Sequence, residues 1–397
     1  MSAPVFRRLQ DLLGSHAVGA DAAGIPRAVP DGVERASQVL ALAHAEGWRV
    51  RLEGQSTWMP ADAPADLALA TRGLDRVLAL DADQGIVRVE SGVSLEELRR
   101  AAGDHGLWLP LDPPGRPERT VGSLVATATA GPLRDAGGVR DLVAGVALLG
   151  GDGRAVEAPA GGDGPRELPR LACGSFGAAG LLTWVELRLR PVPRADRTFV
   201  TREGRDRLTE AARALADHRV EAAAAELLSP AWAAGPDWTL AVRVVGDVAA
   251  VHDQAQLLRA ATELGWEELS AERCGTFWAL VARAPLAEPV TLRLGVLPDG
   301  LDETLDLVAD QLNEGLVSAA TLAGGLRWAG DASPERLRAV RARAVTRELP
   351  LTLERGPWEL RQAIGHAGAY REGGAPPLSR LRDEFDAGRT FVVAGAS

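Results

Sequence analysis

RVLALDADQGIVRVES, residues 76–91, consists of two aliphatic runs on either side of Asp83-Gln84-Gly85. A polar turn ending in glycine between such runs joins two strands that pair antiparallel. A parallel arrangement would need a crossover of a dozen or more residues, and three cannot supply it. This hairpin argues against a doubly wound parallel sheet. DLVAGVALLGGDGRAVEA (141–158) repeats the pattern around Asp152-Gly153. GLLTWVELRLRPVP (180–193) alternates apolar and polar residues until Pro191 and Pro193 stop it. Helices are interleaved with these strands. Asp31 and Glu34 fit a capping box for a helix with apolar face Val33, Ala36, Val39, Leu40 and Ala43, ended by Gly47. WRVRLE (48–53) follows as a strand, and Ser94 with Glu97 fits a second capping box before LEELRRAAGDHG. Strands that pair both locally and across helices make the class α+β.

A chain of 397 residues exceeds what one core organises, which predicts more than one domain. Composition and direction change near Pro193, giving expected domains 1–193 and 194–397, with the tail from about residue 365 a candidate to return to the first. In the second, strands in WTLAVRVVG (238–246), PVTLRLGVL (289–297), ATLAGGLRW (320–328) and LPLTLE (349–354) alternate with helices over about 248–264, 302–313 and 333–347. That alternation predicts a second α+β domain, and no internal repeat is visible in the residues. A net charge of −10 gives no basic footprint for nucleic acid. Cys173 and Cys274 are too few for an iron–sulfur cluster or a disulfide framework, and are expected to be reduced and buried. With no secretory h-region and no apolar run near the ~20 residues of a membrane helix, the expectation is a cytoplasmic protein.

Three stretches of the first domain have almost bare backbone: Gly54-Gln55-Ser56-Thr57, residues 113–132 (PPGRPERTVGSLVATATAGP), and residues 173–180 (CGSFGAAG). Small residues let a backbone approach a ligand and present its N–H groups to phosphate oxygens. Each stretch alone is more often a turn or a tight contact. Three in one domain suit a flat, phosphate-bearing cofactor. No G-x-G-x-x-G joins a strand to a helix, no P-loop or G-x-S-x-G elbow occurs, and no His spacing suggests a metal site.

These segments, with LATRGLDRVLALDADQGIVRVESGVSLEELRRAAGDHGLWLPLDPPG (69–115), TVGSLVATATAGP (120–132), GGVRDLVAGVALLGGDGR (137–154) and GSFGAAGLLTWVELRLRPVP (174–193), resemble the vanillyl-alcohol-oxidase (PCMH) type of FAD-binding domain. The whole chain resembles the family of glycolate oxidase FAD-binding subunits, the E components, more loosely through FWALVA, GGLRW and PPLSRLRDEFD. The resemblance implies a PCMH-type domain followed by a smaller, ferredoxin-like α+β domain. It implies that Gly54, Gln55, Ser56 and Thr57 form the pyrophosphate loop. Pro113, Pro114, Gly115, Thr120, Val121, Gly122 and Ser123 would wrap diphosphate and flavin, with Ala126, Thr127, Ala130 and Gly131 beside the isoalloxazine ring. Gly174, Ser175, Gly177, Gly180 and Leu182 would approach the adenine side. Arg140-Asp141 matches a family element that we read as an ion pair at a strand entry. No His follows Gly54, so FAD is expected to be bound non-covalently.

The implied activity is hydride transfer from a small 2-hydroxy acid to FAD. Electrons would pass to a second FAD subunit and an iron–sulfur subunit, partners that could hold the chain at the inner face of the cell membrane. His366, Arg134 and Arg371 are the candidates for contacting such a substrate. Departures from the family accompany these matches. GGDGPRELPRL stands where the family has a Lys, an Asn and a Tyr, and FDAGRTFVVAG lacks the family's prolines and Asn. They leave open an alternative: a flavin-poor structural partner in such a complex.

Overall fold

The computed structural model describes residues 2–58, 60–232, 235–312, 314–364 and 377–393. In the first half, Pro26–Ala28, Leu67–Ala70 and Val50–Glu53 run parallel, and Val18–Ala20 closes one edge antiparallel. The helices Ser2–Leu13 and Val33–Glu46 bury Leu9, Leu13, Val39 and Leu40 against Val50, Leu67 and Leu69. The apolar face read from the sequence is the buried one, but the capping box is not formed. Gly32 is the N-cap, and Asp31 instead pairs with Arg35 at 3.4 Å.

The hairpin of residues 76–91 forms with Asp81 opposite Ile86, and Gly85 takes the left-handed φ of +63° that the turn requires. Its strands open a five-stranded antiparallel sheet: Val77–Asp81, Ile86–Glu90, Leu181–Arg188, Val143–Leu149, Ala155–Ala158. Ser94 does cap its helix, Leu95–Gly103, accepting the Glu97 N–H at 3.0 Å. A short helix, Val121–Thr127, capped by Thr120, packs on the same core. Arg140 and Asp141 are tied to backbone, Arg140 donating to Cys173 O and Asp141 accepting from the Gly138 N–H. The expected mutual ion pair is thus replaced by two backbone ties, which fix the same strand entry.

The second half is one antiparallel sheet of eight strands. Ala195–Glu203, Arg205–Asp217, Ala224–Leu228, Trp238–Gly246, Val248–Ala261 and Glu267–Glu268 form a strand–helix–strand–strand–helix–strand unit. Val290–Leu294, Leu301–Gln311, Leu316–Ala320, Leu326–Gly330, Pro334–Thr346 and Leu351–Arg355 form another. Numbered within its unit, each half of the sheet has the strand order 4-1-3-2, and the two second strands join them, Glu226 opposite Ala320. The expectation of no repeat fails at the level of structure. Both units need only an apolar face of period two and helices of ordinary amphipathicity, which many unrelated residues satisfy. Phe199, Leu240, Val242, Leu292, Leu294, Trp328 and Leu353 line that face beneath the four helices.

The described end of the chain lies against the first half. After the helix Pro377–Phe385, the Val50 N–H donates to Thr390 O and the Val392 N–H to Val50 O, which extends the four-stranded sheet. Asp386 accepts the Thr390 and Phe391 N–H groups, and a Cβ on Gly151 would strike its carboxylate. Among the described residues no helix is long and apolar enough to cross a membrane, and no cluster suits a metal ion.

A candidate cofactor cleft

The strand Val50–Glu53 ends where the strand Leu181–Arg188 and the helix Val121–Thr127 converge, and a cleft open to solvent lies between them. Gly54, Gln55, Ser56 and Thr57 form one wall; Gly122, Ser123, Ala126 and Thr127 another; Phe176, Gly177, Gly180 and Leu182 a third. The three bare-backbone stretches, separate in sequence, meet here.

Close packing explains the small residues. A Cβ on Gly54 would run into Thr120 Oγ1, and one on Gly122 would meet Ser91 at 2.8 Å. Gly177 and Gly180 hold φ of +88° and +117°, which other residues rarely adopt. Ser56 at φ +52° bends the first loop. Among the described residues no hydrogen bond engages the N–H of Gln55, Ser56 or Thr57. Consecutive free N–H groups on a bent loop suit an anion. Two further donors point the same way: Trp58 Nε1 and Ser91 Oγ are buried, border the cleft and have no partner among the described residues. Buried polar groups are rarely left unpaired, so a ligand with acceptors fits this donor set.

Other expected residues support the walls without lining the cleft. Thr120 caps the helix, Val121 is buried in the core, and the Gly174 N–H is tied to Val125 O. Ser175 is buried behind Phe176, whose N–H donates to Ala126 O. Pro113, Pro114 and Gly115 turn towards the second half, where the Gly115 N–H donates to Ala282 O. Ala130 accepts from Arg327 at 2.7 Å, and a Cβ on Gly131 would collide with Asp112 O. His366 and Arg371 lie outside the described residues. Arg134 is half-buried, donates to Gly131 O at 3.1 Å and pairs with Glu226 at 3.0 Å.

Sequence reasoning missed several lining residues. Trp358 and Arg361 reach the cleft from some 300 positions away, and Arg361 pairs with Asp62. Arg51 is buried between Asp21 at 2.5 Å and Glu53 at 2.6 Å. No local pattern announces such long-range partners.

Where the two halves meet, the inner face of the eight-stranded sheet is charged. Glu354 is shared by Arg327 at 2.8 Å and Arg293 at 2.9 Å. Nearby, burial pushes the Asp112 carboxyl up to about 7. Burial, together with the neighbouring Glu226, does the same to Asp135.

The sequence profile of the FAD binding domain family matches residues 27–159. Glycolate oxidase subunit GlcE of Escherichia coli (strain K12) is 32% identical over 126 residues, covering 30% of this chain and 35% of that protein. D-2-hydroxyglutarate dehydrogenase of Xanthomonas citri pv. viticola is 30% identical over 174 residues, 42% of this chain and 37% of that protein. The mitochondrial D-lactate dehydrogenase [cytochrome] of Arabidopsis thaliana is 34% identical over 155 residues, 37% of this chain and 26% of that protein. The matches thus span about a third of the relatives' length. In structure the chain is similar to an alkyldihydroxyacetonephosphate synthase, with a TM-score of 0.74 at 13% identity over 98% of this chain and 84% of that one. This likeness shows the fold, a PCMH-type FAD-binding domain joined to a second α+β sheet.

Proposed function

We propose, from the premise that residues 27–159 belong to the FAD binding domain family, that this protein is a flavoprotein subunit of an enzyme oxidising a small 2-hydroxy acid. The observation that carries this reading is the cleft, where three bare-backbone walls, free loop N–H groups and two orphaned buried donors face one space. Loop residues 55–57 would hold the diphosphate, with Trp58 Nε1 and Ser91 Oγ as further donors. When bound, FAD supplies the redox chemistry, accepting a hydride from the α-carbon of the hydroxy acid. The chain's own part is to hold the cofactor non-covalently, exclude water and pass electrons onward. Relatives named for glycolate, D-lactate and D-2-hydroxyglutarate support the substrate class. One of them is named as a subunit, which supports a complex; the partners we propose for it are a second FAD subunit and an iron–sulfur subunit. The buried Cys173 and Cys274 cannot ligate a cluster by themselves. The same reading places the chain in the cytoplasm, held at the membrane's inner face by those partners.

Arg134 is engaged by Glu226, so a substrate carboxylate would have to compete for it. One observation favours a second reading, a structural partner that binds flavin weakly. Both arginines lining the cleft are neutralised by carboxylates, Arg51 by Asp21 and Glu53 and Arg361 by Asp62. The diphosphate would then rely on neutral N–H and O–H donors alone.

Titrating the purified chain with FAD separates the two readings. The first expects stoichiometric uptake, with flavin absorbance that glycolate or D-lactate bleaches in the assembled complex. Gly54→Val, which displaces Thr120 into the cleft wall, is expected to weaken FAD binding at least a hundredfold while the far-ultraviolet dichroism stays unchanged. A colourless chain that still assembles its complex would favour the second reading.

A further inference from the structure

Residues 55–57, the proposed diphosphate loop, run directly into Trp58, Pro60 and Asp62, and all three are held by the segment 355–361 of the other half. Arg355 donates through Nε to Trp58 O at 3.2 Å, and Arg361 donates to Pro60 O at 3.3 Å. Asp62 accepts the Trp358 N–H at 2.7 Å through Oδ2, and through Oδ1 it pairs with Arg361. In each of these contacts the loop accepts, and a segment some 300 positions away donates. The donors are fixed from their own side. Arg355 ends the strand Leu351–Arg355 and also donates to Glu288 O. Arg361 is buried, donates through Nε to Gly356 O at 2.8 Å and stands over the Trp358 ring at 5.3 Å.

The loop itself has little to hold its shape. Ser56 sits at φ +52°, a backbone conformation that residues other than glycine adopt at a cost. Among the described residues no hydrogen bond engages the N–H of Gln55, Ser56 or Thr57. What fixes the loop is the anchoring of the residues that follow it. A loop held in its binding form before the ligand arrives loses less freedom on binding. Pro60, Ala61 and Ala63 line the cleft and Asp62 between them does not, whereas both of its partners, Trp358 and Arg361, do. The Asp62 carboxylate can therefore act on a bound dinucleotide only through what it joins. On one side that is the loop wall, on the other the helix Trp358–Ile364. A long ligand lying against both walls leaves once they part.

We infer that Asp62 is a positioning residue that straps the two halves of the molecule across the cofactor cleft and sets how long a bound FAD stays. The inference rests on the proposed flavin site and adds to it a residue that touches no part of the dinucleotide. If the strapped form binds FAD more tightly, bound FAD must favour the strapped form by the same factor. The segment 355–361 is therefore expected to be steadier in the loaded chain.

The test uses the full chain and compares wild type, Asp62→Ala and Asp62→Asn. FAD release is timed by the recovery of flavin fluorescence after dilution, and association by stopped-flow quenching. Asp62→Ala is expected to speed release about ten- to hundredfold, with association changed less than about threefold, because the donors that meet FAD are untouched. Asp62→Asn keeps an acceptor for the Trp358 N–H and loses the charge facing Arg361, so its release rate should fall between the other two. An unchanged release rate in Asp62→Ala overturns the proposal. Slower release overturns it as well, and means that Asp62 keeps Arg361 from the diphosphate. A loss of affinity carried by association alone marks a merely structural residue and also overturns it. Should neither variant fold, amide hydrogen exchange of the wild type decides. Adding FAD is expected to slow exchange across residues 355–361 at least about tenfold, and no slowing refutes the strap. A wild-type chain that takes up no FAD fails the proposed function itself, a result distinct from every outcome above, and the strap falls with it.

Discussion

The two units of the eight-stranded sheet have the same element order and the same apolar face beneath their helices, but their opposite faces differ. In the first unit that face is Val200, Ala224, Leu228 and Ala241, roofed by Cys274, Trp278 and Val281 of the helix Ala271–Arg283. In the second it presents Thr291, Arg293, Arg327 and Glu354, and Arg327 reaches across to Ala130 O of the cofactor-binding half. The helix that follows the second unit, Trp358–Ile364, lends Trp358 and Arg361 to the cleft. Duplicated topology fixes only the helix-side face, because that is where the common core is buried. The other face is free to become a private core or a polar seam, according to what is placed on it.

The largest effect expected from breaking this contrast is in the seam. Glu354→Gln removes the one carboxylate shared, among the described residues, by Arg293 and the buried Arg327. Stranding a buried charge costs about 3–5 kcal/mol, so the urea midpoint should fall steeply. Arg327→Met added to Glu354→Gln should restore part of the loss, because the buried charge that Glu354 compensated at position 327 is then gone. An effect under about 1 kcal/mol would mean that the seam is solvated, and the proposed contrast would collapse. The matching change in the first unit is Leu228→Ala, expected to cost about 3 kcal/mol by leaving a cavity under Trp278. Its cost should not vary with salt. That of Glu354→Gln is also expected to be nearly salt-independent if the pair is truly buried.

What the sequence disclosed follows the same division. The hairpin of residues 76–91, the Ser94 cap and the bare-backbone walls at Gly54, Gly122 and Gly177 are local, set by residues adjacent in the chain. Locally written features can be read locally. Ala224–Leu228 escapes reading as a strand because its flanking alanines favour helix, and pairing with Trp238–Gly246 and Leu316–Ala320 overrides that preference. The seam escapes for a different reason. Arg293, Arg327 and Glu354 come from three separate strands, and an isolated Arg or Glu in an alternating strand looks like a solvent-facing residue. Trp358 and Arg361 are out of reach for the same cause: only tertiary folding brings them to the cleft. The candidate site is therefore half readable, its backbone walls from small residues and its charged surroundings not at all.

The smallest effect concerns the acidic end of the seam, next to the first unit. Asp112 accepts the Leu133 N–H at 2.8 Å through Oδ1, while Oδ2 is buried without a partner among the described residues. Burial raises its carboxyl to about 7 against the ordinary 3.8, with Glu226 adding to the rise and Arg243 and Arg134 opposing it. Between those two pH values the folded chain holds a proton that the unfolded chain has lost. This group therefore favours folding at low pH, and its contribution disappears as pH rises through 7. Asp112→Asn keeps the acceptor for Leu133 and removes the charge. A tenfold change in proton affinity is worth about 1.4 kcal/mol, which sets an upper limit of about 4 kcal/mol. Asp135 and Glu226 remain in the same field, so about 2 kcal/mol is the expected gain. The gain should be near zero at pH 4 and complete at pH 8, measured as the difference in urea unfolding free energy between variant and wild type. A gain equal at both pH values would mean that shape, not charge, governs Asp112, and that the seam is acidic in composition without being strained by it.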